Sequence, residues 1–270
     1  MRIAQLISTF LPEIGGAQVF LHQLSKALIS LNVEVVVVTL NKFKKKLDNL
    51  GYEIIGLPDL IYTLLNRFPF FGKYIFWNKL KSLQQEYNFN LWQVTIGYPF
   101  GVYAIDFFKK YRIPCVLRCS GEDIQIVPDI PYGYRLNKKI DFLIRRSYFK
   151  YDKVVAMVES IKVDYLNVGV PEEKIVVIPN GVDYNRFTKM SVDEKLKEEI
   201  APAGQRVILT VGRNHPKKGF SKIPYFIKEL LRFRKDFVWL VIGENSYRSV
   251  SYTHLRAHET RHDLVCRLLL

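Results

Sequence analysis

Cysteine is scarce in this chain, and no two cysteines form a C-x-x-C pair. The 270 residues contain three, Cys115, Cys119 and Cys266. So few thiols exclude a disulfide scaffold and indicate a reducing compartment. The chain also lacks any apolar run near the ~18 residues that a transmembrane helix needs. Its first residues, MRIAQLISTFLPEIGG, have no small-residue cleavage site, so they predict a first strand and not a signal peptide. We expect a cytoplasmic protein.

The chain has fewer acidic than basic residues. The chain has 40 Lys and Arg against 26 Asp and Glu, a formal net charge of +14. This excess predicts an anionic partner, which leaves nucleic acid, a phosphate-bearing ligand or an anionic membrane surface. Because no nucleic-acid-binding motif is present, we expect no nucleic-acid partner. A non-catalytic basic module on the inner face of a membrane remains the alternative to an enzyme.

Apolar runs alternate with helix-like stretches along most of the chain. The runs are RIAQLIS, VEVVVVTL, YEIIGL, LWQVTIGY, IPCVLRCS, KVVAMV and KIVVIP. VEVVVVTL is apolar on both faces, as a buried parallel strand should be. After the first run, a predicted helix carries five apolar residues on one face: Phe20, Leu21, Leu24, Leu28 and Leu31. This alternation predicts an α/β fold with a parallel sheet and right-handed crossovers.

The pattern changes after PNGVDYNRF, and a second series of strands begins with RVILTVG. We place one domain at residues 1–185 and a second at 186–246. The second has two predicted strands, which is fewer than an open α/β domain of about 100–200 residues contains. The sequence therefore predicts an incomplete second domain.

Gly15 and Gly16 stand between the first predicted strand and the first predicted helix. Glycines allow a sharp turn and a close approach of backbone to ligand, and a helix N-terminus favours anions. An ordinary strand-to-helix turn is the simpler interpretation of two glycines alone. The G-x-G-x-x-G pattern of dinucleotide-binding sites is absent.

The stretch LTVGRNHPKKGF also joins a predicted strand to a predicted helix. Gly212 lets the chain leave the sheet, and Arg213 and Lys218 are charged donors that together could hold a diphosphate. Most clusters of basic residues are solvated loops. The strand–loop–helix context favours a ligand site here.

Two acids, Glu122 and Asp123, follow the fifth predicted strand in RCSGEDIQ. Ligands in parallel sheets usually bind at the carboxyl ends of strands, so a functional role is one interpretation. The other is that these acids cap the next helix. The residues alone leave both open.

Residues 60–81, LIYTLLNRFPFFGKYIFWNKLK, combine many aromatic residues with four basic ones and no acid. Such a composition suits a membrane interface or an apolar, phosphate-bearing acceptor. A pair of core-packing helices with solvated lysines is an equally good interpretation.

These features together resemble the retaining glycosyltransferases of family 4, which have the GT-B fold. The resemblance covers about residues 1–245 and rests on PEIGGAQ, YDKVVAMVESIKVDYLNVGVPEEKIVVIPNGVD, LTVGRNHPKKGF and LVIGE. It implies an N-terminal Rossmann-like doubly wound sheet on the acceptor side and the first part of a nucleotide-sugar-binding Rossmann-like domain. It also implies sugar transfer from a nucleotide-sugar to a glycan or lipid-linked acceptor, as in cell-surface polysaccharide or glycolipid synthesis.

The resemblance assigns roles by position. Gly16, Arg213 and Lys218 would contact or neutralise the donor diphosphate, and Asn180–Asp183 would form the linker. The remaining residues implied for the donor cleft are Gly15, Gly212 and Gly243. We expect no cofactor, since the nucleotide-sugar donor is a substrate, and we expect no metal ion.

Two departures from the family pattern matter. Ser120 stands where many members have a histidine, so Glu122 and Asp123 become the candidates for contact with the acceptor or sugar. The paired-glutamate motif of the second domain is absent. We therefore expect this chain to be inactive alone.

Near the end, HETRH matches the H-E-x-x-H signature of zinc metalloproteases. On a helix, His258 and His262 would share one face, with Glu259 placed to activate a metal-bound water and His254 as a third ligand. A terminal segment offers little wall for a catalytic zinc site. VSYTHLRAHETRHDLVCRLLL is also similar to translated vector sequence. We therefore rank the protease hypothesis lowest and interpret residues 247–270 as a non-native tail.

Overall fold

The protein forms two compact units, Met1–Val182 and Asp183–Leu270. The computed structural model describes residues 1–45, 50–185, 187–188, 191, 193–212 and 214–243, and the backbone of 256–261 and 265–269.

The first unit is built on a parallel sheet. Its strands are β1 (Arg2–Ile7), β2 (Glu34–Leu40), β3 (Glu53–Leu57), β4 (Leu91–Thr95), β5 (Cys115–Arg118), β6 (Lys153–Ala156) and β7 (Ile175–Val177). Within the described residues the strand order is β3-β2-β1-β4-β5-β6-β7. The chain therefore adds β2 and β3 on one side of β1, and then adds β4 to β7 on the other side. All seven predicted strands are confirmed.

Helices connect these strands. They are α1 (Gly16–Ser30), α2 (Asn41–Lys44), α3 (Leu60–Arg67), α4 (Pro69–Tyr87), α5 (Val102–Lys110), α6 (Lys138–Ser147) and α7 (Glu159–Asn167). On α1 the predicted apolar face is only partly right. Leu21 is fully buried, but Leu31 is 72% exposed because it lies just beyond the end of the helix.

The core explains why the central strands are so apolar. Val36, Val37 and Val38 in β2 are all buried, as a strand covered on both faces requires. On the α4–α5 side, Trp92 of β4 packs against Phe108, and their ring centroids are 5.5 Å apart.

The second unit contains α8 (Glu194–Ile200), β8 (Arg206–Val211), α9 (Ile223–Leu230), β9 (Phe237–Ile242), β10 (Arg256–Arg261) and β11 (Val265–Leu269). The four described strands have the order β10-β11-β9-β8. β8 and β9 are parallel, whereas β11 is antiparallel to β9. One face of β8 is open, since Val207, Leu209 and Val211 are 46%, 56% and 68% exposed.

The helical interpretation of HETRH is wrong. His258 and Glu259 lie in β10, which pairs antiparallel with β11. An extended strand does not give the one-turn spacing of ligands on which the metalloprotease motif depends. His254 and His262 lie outside the described residues, and the foreign origin of residues 247–270 stays a prediction.

No helix in the described part of the chain is both long and apolar enough to cross a bilayer.

Candidate functional site

The loops that follow β1, β4 and β5 leave the first unit's sheet at one edge. The register aligns the strand ends, with Ile7 beside Thr95 and Thr95 beside Arg118. The direction of chain progression reverses between β1 and β4, and ligands of open α/β sheets bind at such reversals. We call this the carboxyl edge, and it is the candidate site of the first unit.

Gly15 and Gly16 form the β1–α1 turn at this edge. Gly15 is the N-cap of α1, and α1 has neither a side-chain cap nor an acid in its first turn. A Cβ added at Gly15 would come within 2.5 Å of Gln18 Oε1, whereas one at Gly16 would meet nothing within 4 Å. The uncapped helix start and the open space beside Gly16 suit the approach of an anion.

Asp123 is buried and holds the loop after β5 together. Its carboxylate accepts hydrogen bonds from the N–H groups of Gly97 (2.7 Å), Ser120 (2.9 Å) and Gly121 (3.0 Å). Burial raises the pKa of Asp123, and the backbone donors oppose that rise. The side chain is 1% exposed, so this geometry favours a positioning role over contact with substrate.

Asp123 does not cap the next α-helix along the chain, contrary to the second interpretation of this stretch. The next α-helix is α6, where the Asn137 side chain accepts from the N–H groups of Lys139 and Ile140. Arg135 connects that helix to the loop. It donates to Asp141 Oδ1 and to the carbonyl of Ile124, both at 2.7 Å.

Tyr62, Tyr98 and Tyr134 lie close together at the carboxyl edge, and Tyr134 adjoins Glu122. We call these three residues the tyrosine wall. The ring centroids of Tyr98 and Tyr134 are 5.7 Å apart. Burial and the neighbouring Glu122 carboxylate raise the pKa of the Tyr134 hydroxyl. Burial also raises the pKa of Tyr98, to about 12. Glu122 is half-buried, so of the two predicted acids it is the one still open to a ligand.

Arg118 lies at the end of β5 with its side chain buried. Its guanidinium carbon stands 3.9 Å from the centroid of the Phe20 ring. Its Nη2 donates to Asn180 Oδ1, and its Nε has no hydrogen-bond partner in the described structure. Burial lowers the pKa of Arg118. This contact joins the sheet edge to the first residue of the predicted linker.

The second unit has its own candidate site, the loop from β8 to α9. Gly212 follows β8, and its N–H donates to the carbonyl of Ile242 at 2.8 Å. Gly219 has φ +69°, which favours glycine, and ends the turn formed by Pro216–Lys218.

Lys218 projects from this turn as an exposed side chain and forms no ion pair with any residue that the structure describes. The turn therefore presents a free ammonium group at the carboxyl end of β8. Gly243 directly follows β9 at the neighbouring strand end. Arg213 lies outside the described residues.

No group of three or more His, Cys, Asp and Glu side chains in the described part of the chain is arranged to hold a metal ion.

Arg118 and the tyrosine wall were not among the residues predicted from the sequence. Arg118 ends an otherwise apolar strand, and Tyr98 lies three residues after the end of β4. Both therefore occupy the ends of strands, where a ligand site was already expected. Tyr62 carried no such signal, because α3 brings it to the edge only through tertiary packing.

The fold is shared with solved structures. HepE from Anabaena in complex with UDP and glucose has a TM-score of 0.64 and 18% identity, over 93% of this chain and 66% of that one. Sucrose-phosphate synthase from Thermosynechococcus elongatus has a TM-score of 0.63 and 14% identity, over 90% and 63%. The lipopolysaccharide outer core galactosyltransferase WaaB has a TM-score of 0.56 and 13% identity, over 94% and 71%.

These similarities confirm the predicted GT-B-like fold. The chain spans about two thirds or less of the HepE and sucrose-phosphate synthase chains. Two UDP-N-acetylglucosamine 2-epimerases, one of them putative, share the fold as well, at 14% and 17% identity. The fold alone therefore does not identify a reaction.

Sequence comparison is more specific. No curated protein sequence matches the chain significantly. The profile of Glycosyltransferase Family 4 matches residues 14–186. Because this match covers more than half of the 270 residues, the protein belongs to glycosyltransferase family 4.

Proposed function

We propose that this protein takes part in sugar transfer from a nucleotide-sugar donor to a glycan or lipid-linked acceptor, in the synthesis of cell-surface polysaccharide or glycolipid. The family match over residues 14–186 carries the proposal. The bound UDP, glucose and UDP-glucose of the HepE structures support a nucleotide-sugar donor. The family match also favours transfer over the epimerisation carried out by other proteins of this fold.

The donor diphosphate is assigned to the β8–α9 loop. Lys218 provides an exposed ammonium group there that forms no ion pair with a described residue, and Arg213 is its expected partner from the same loop. When the bond between sugar and diphosphate breaks, negative charge develops on the leaving phosphate. Fixed cations at that point stabilise the transition state more than the ground state. The proposal assigns this role to side chains and requires no metal ion. Gly212 and Gly243, at the ends of β8 and β9, are assigned to the cleft that would hold the nucleotide.

The acceptor is assigned to the carboxyl edge of the first unit. Tyrosine rings provide apolar faces and hydroxyl groups, a combination that suits a sugar ring. Glu122 is the candidate for contact with an acceptor hydroxyl or the transferred sugar, and Asp123 positions the loop that carries it. Gly16 borders open space at the uncapped start of α1, where a phosphate or sugar oxygen could approach the backbone.

The basic charge and the absence of a disulfide scaffold support a cytoplasmic location on the inner face of a membrane. A lipid-linked acceptor would be available there.

Calorimetry with UDP and with GDP tests the donor site on the complete 270-residue chain. We expect one of the two nucleotides to bind, and Lys218→Ala to weaken that binding about tenfold through loss of a charge-assisted contact. Lys228→Ala is the matched control, since this exposed lysine of α9 lies away from the loop. If neither nucleotide binds, or if both lysine variants bind equally to wild type, the donor assignment is wrong.

A further inference from the structure

The corner between α3 and α4 exposes four aromatic side chains. Phe68, Phe70, Phe71 and Tyr74 are 56%, 84%, 65% and 68% exposed. We call these four residues the aromatic corner. Phe70 and Phe71 contact each other edge to face, with ring centroids 5.7 Å apart. Grouped exposed aromatic side chains on a folded surface indicate a binding surface.

The exposure is not a result of loose packing. The opposite faces of the same helices are fully buried at Ile61, Leu65 and Phe76. The two helices touch at Gly72, where an added Cβ would come within 2.5 Å of the Leu65 nitrogen. The corner is therefore held in place by a packed helix pair, and its rings point away from the core.

The helices that carry the aromatic corner are also positively charged. Residues 60–81 contain four basic residues and no acid. Lys73 is engaged internally, with its Nζ 3.0 Å from Asp106 Oδ2. Arg67, Lys79 and Lys81 are exposed and form no ion pair with a described residue. Within the described structure, the two helices that form the corner thus carry exposed aromatic rings together with basic side chains that form no ion pair.

That combination matches an anionic lipid bilayer. Aromatic rings settle at the level of the headgroups, and each basic residue near an anionic leaflet adds to binding. A second copy of the chain is a poorer partner, because pairing two such corners would place like charges opposite each other. We infer that the aromatic corner docks on an anionic membrane surface.

The corner adjoins the carboxyl edge of the sheet. The hydroxyl of Tyr98 donates to Asn66 Oδ1 at 2.7 Å, two residues before the corner. The far end of α4 lies at the opposite edge, where Arg2 Nη1 donates to the carbonyl of Tyr87 at 2.9 Å. Docking would therefore bring the carboxyl edge, and the acceptor site proposed there, next to the lipid surface. The docking itself does not depend on the proposed transfer activity.

Co-sedimentation with lipid vesicles tests this inference on the complete chain. Vesicles of phosphatidylcholine containing about 30% phosphatidylglycerol provide the anionic surface, and pure phosphatidylcholine is the neutral comparison. We expect the anionic vesicles to bind the chain, and the double variant Phe70→Ser/Phe71→Ser to bind about tenfold more weakly. Phe233→Ser is the matched control, because Phe233 is 85% exposed and lies in the second unit; it should bind like wild type.

Three results would overturn the inference: no binding of wild type to anionic vesicles, equal binding by the double variant, or an equal loss with Phe233→Ser. Sedimentation velocity without lipid tests the alternative partner, a second copy of the chain. If wild type is a dimer and the double variant is a monomer, the corner is a self-association surface and the membrane assignment is wrong.

Quenching by brominated lipids gives an independent measurement. A tryptophan introduced by Phe71→Trp should be quenched on vesicle binding, whereas one introduced by Phe233→Trp should not. The double serine variant should bind UDP or GDP like wild type. A failure of vesicle binding would thus leave the donor assignment standing, and the reverse also holds.

Discussion

At the scale of single residues, two adjacent acids have different environments and so different expected roles. The carboxylate of Asp123 is enclosed by three backbone N–H groups, whereas Glu122 is half-buried beside Tyr134. Sequence proximity had made them equivalent candidates. Their contacts distinguish them: Asp123 holds the loop together, whereas Glu122 remains able to contact a ligand.

Replacing each acid separately tests this division. Asp123→Ala leaves three buried or half-buried N–H groups without their acceptor, so we expect the free energy of unfolding to fall by about 2–4 kcal/mol. Glu122→Gln should change it by less than about 0.5 kcal/mol. Urea denaturation followed by circular dichroism measures both. Equal stabilities of the two variants would contradict the positioning role of Asp123.

The sequence could indicate residues at strand ends but not the contacts between them. The glycines of the β1–α1 turn and the acids after β5 are found at the predicted edge, because parallel strands bring their carboxyl ends together. The bond from Tyr98 to Asn66 and the contact of Arg118 with Asn180 span 32 and 62 positions. No local pattern encodes such pairs.

At the scale of secondary-structure elements, Asp106 of α5 holds neighbouring elements together. Its carboxylate accepts from Lys73 of α4 at 3.0 Å and from Lys150, which follows α6, at 2.7 Å. Burial alone would raise the pKa of Asp106, but the hydrogen bonds from Lys150 and Lys73 outweigh it and hold the pKa below its usual value. The aromatic corner is thus supported by an ionic contact on the helix that carries it.

A lowered folded-state pKa makes the stabilisation by Asp106 dependent on pH. It is fully present above the ordinary carboxyl value of about 4 and is lost as the pH falls through the lower folded value. We expect Asp106→Asn to reduce the free energy of unfolding by about 1 kcal/mol at pH 7, since the pair is partly exposed. The difference from wild type should shrink as the pH falls below about 4. Urea titrations across this range measure it, and a difference that stayed constant would contradict the ionic account.

The type of an element was predictable where its apolar residues follow one clear spacing. The secondary structure of HETRH was not predictable in this way. The buried valines of β2 and the alternation of strands and helices specified the first sheet. A short mixed stretch such as residues 256–261 fits either a helix or a strand by its own pattern. Its pairing with β11, and of β11 with β9, decides the outcome.

At the scale of the whole molecule, the two units have unequal cores. In the first unit, buried apolar side chains cover both faces of the sheet. The described core of the second consists of a few buried side chains: Phe220, Ile223, Ile227, Phe237 and Val241. One face of β8 is exposed as well. Fewer buried contacts predict a lower free energy of unfolding for the second unit.

Tryptophan fluorescence can follow the two units separately. Of the three tryptophans, only Trp239 lies in the second unit, where its Nε1 donates to Thr210 Oγ1 at 3.0 Å. In a variant with Trp77→Phe and Trp92→Phe, the Trp239 signal should change at a lower urea concentration than the overall circular dichroism. Coincident transitions would show that the molecule unfolds as one cooperative body.

The hydrogen bond between Tyr98 and Asn66 links the tyrosine wall to the end of α3, directly before the aromatic corner. A protein docked through that corner would meet a lipid-linked acceptor by lateral diffusion within the bilayer. Its search would take place in two dimensions. The rate of transfer would then follow the number of acceptor molecules per unit area of lipid, and diluting the acceptor with inert lipid would slow the reaction even at constant bulk concentration.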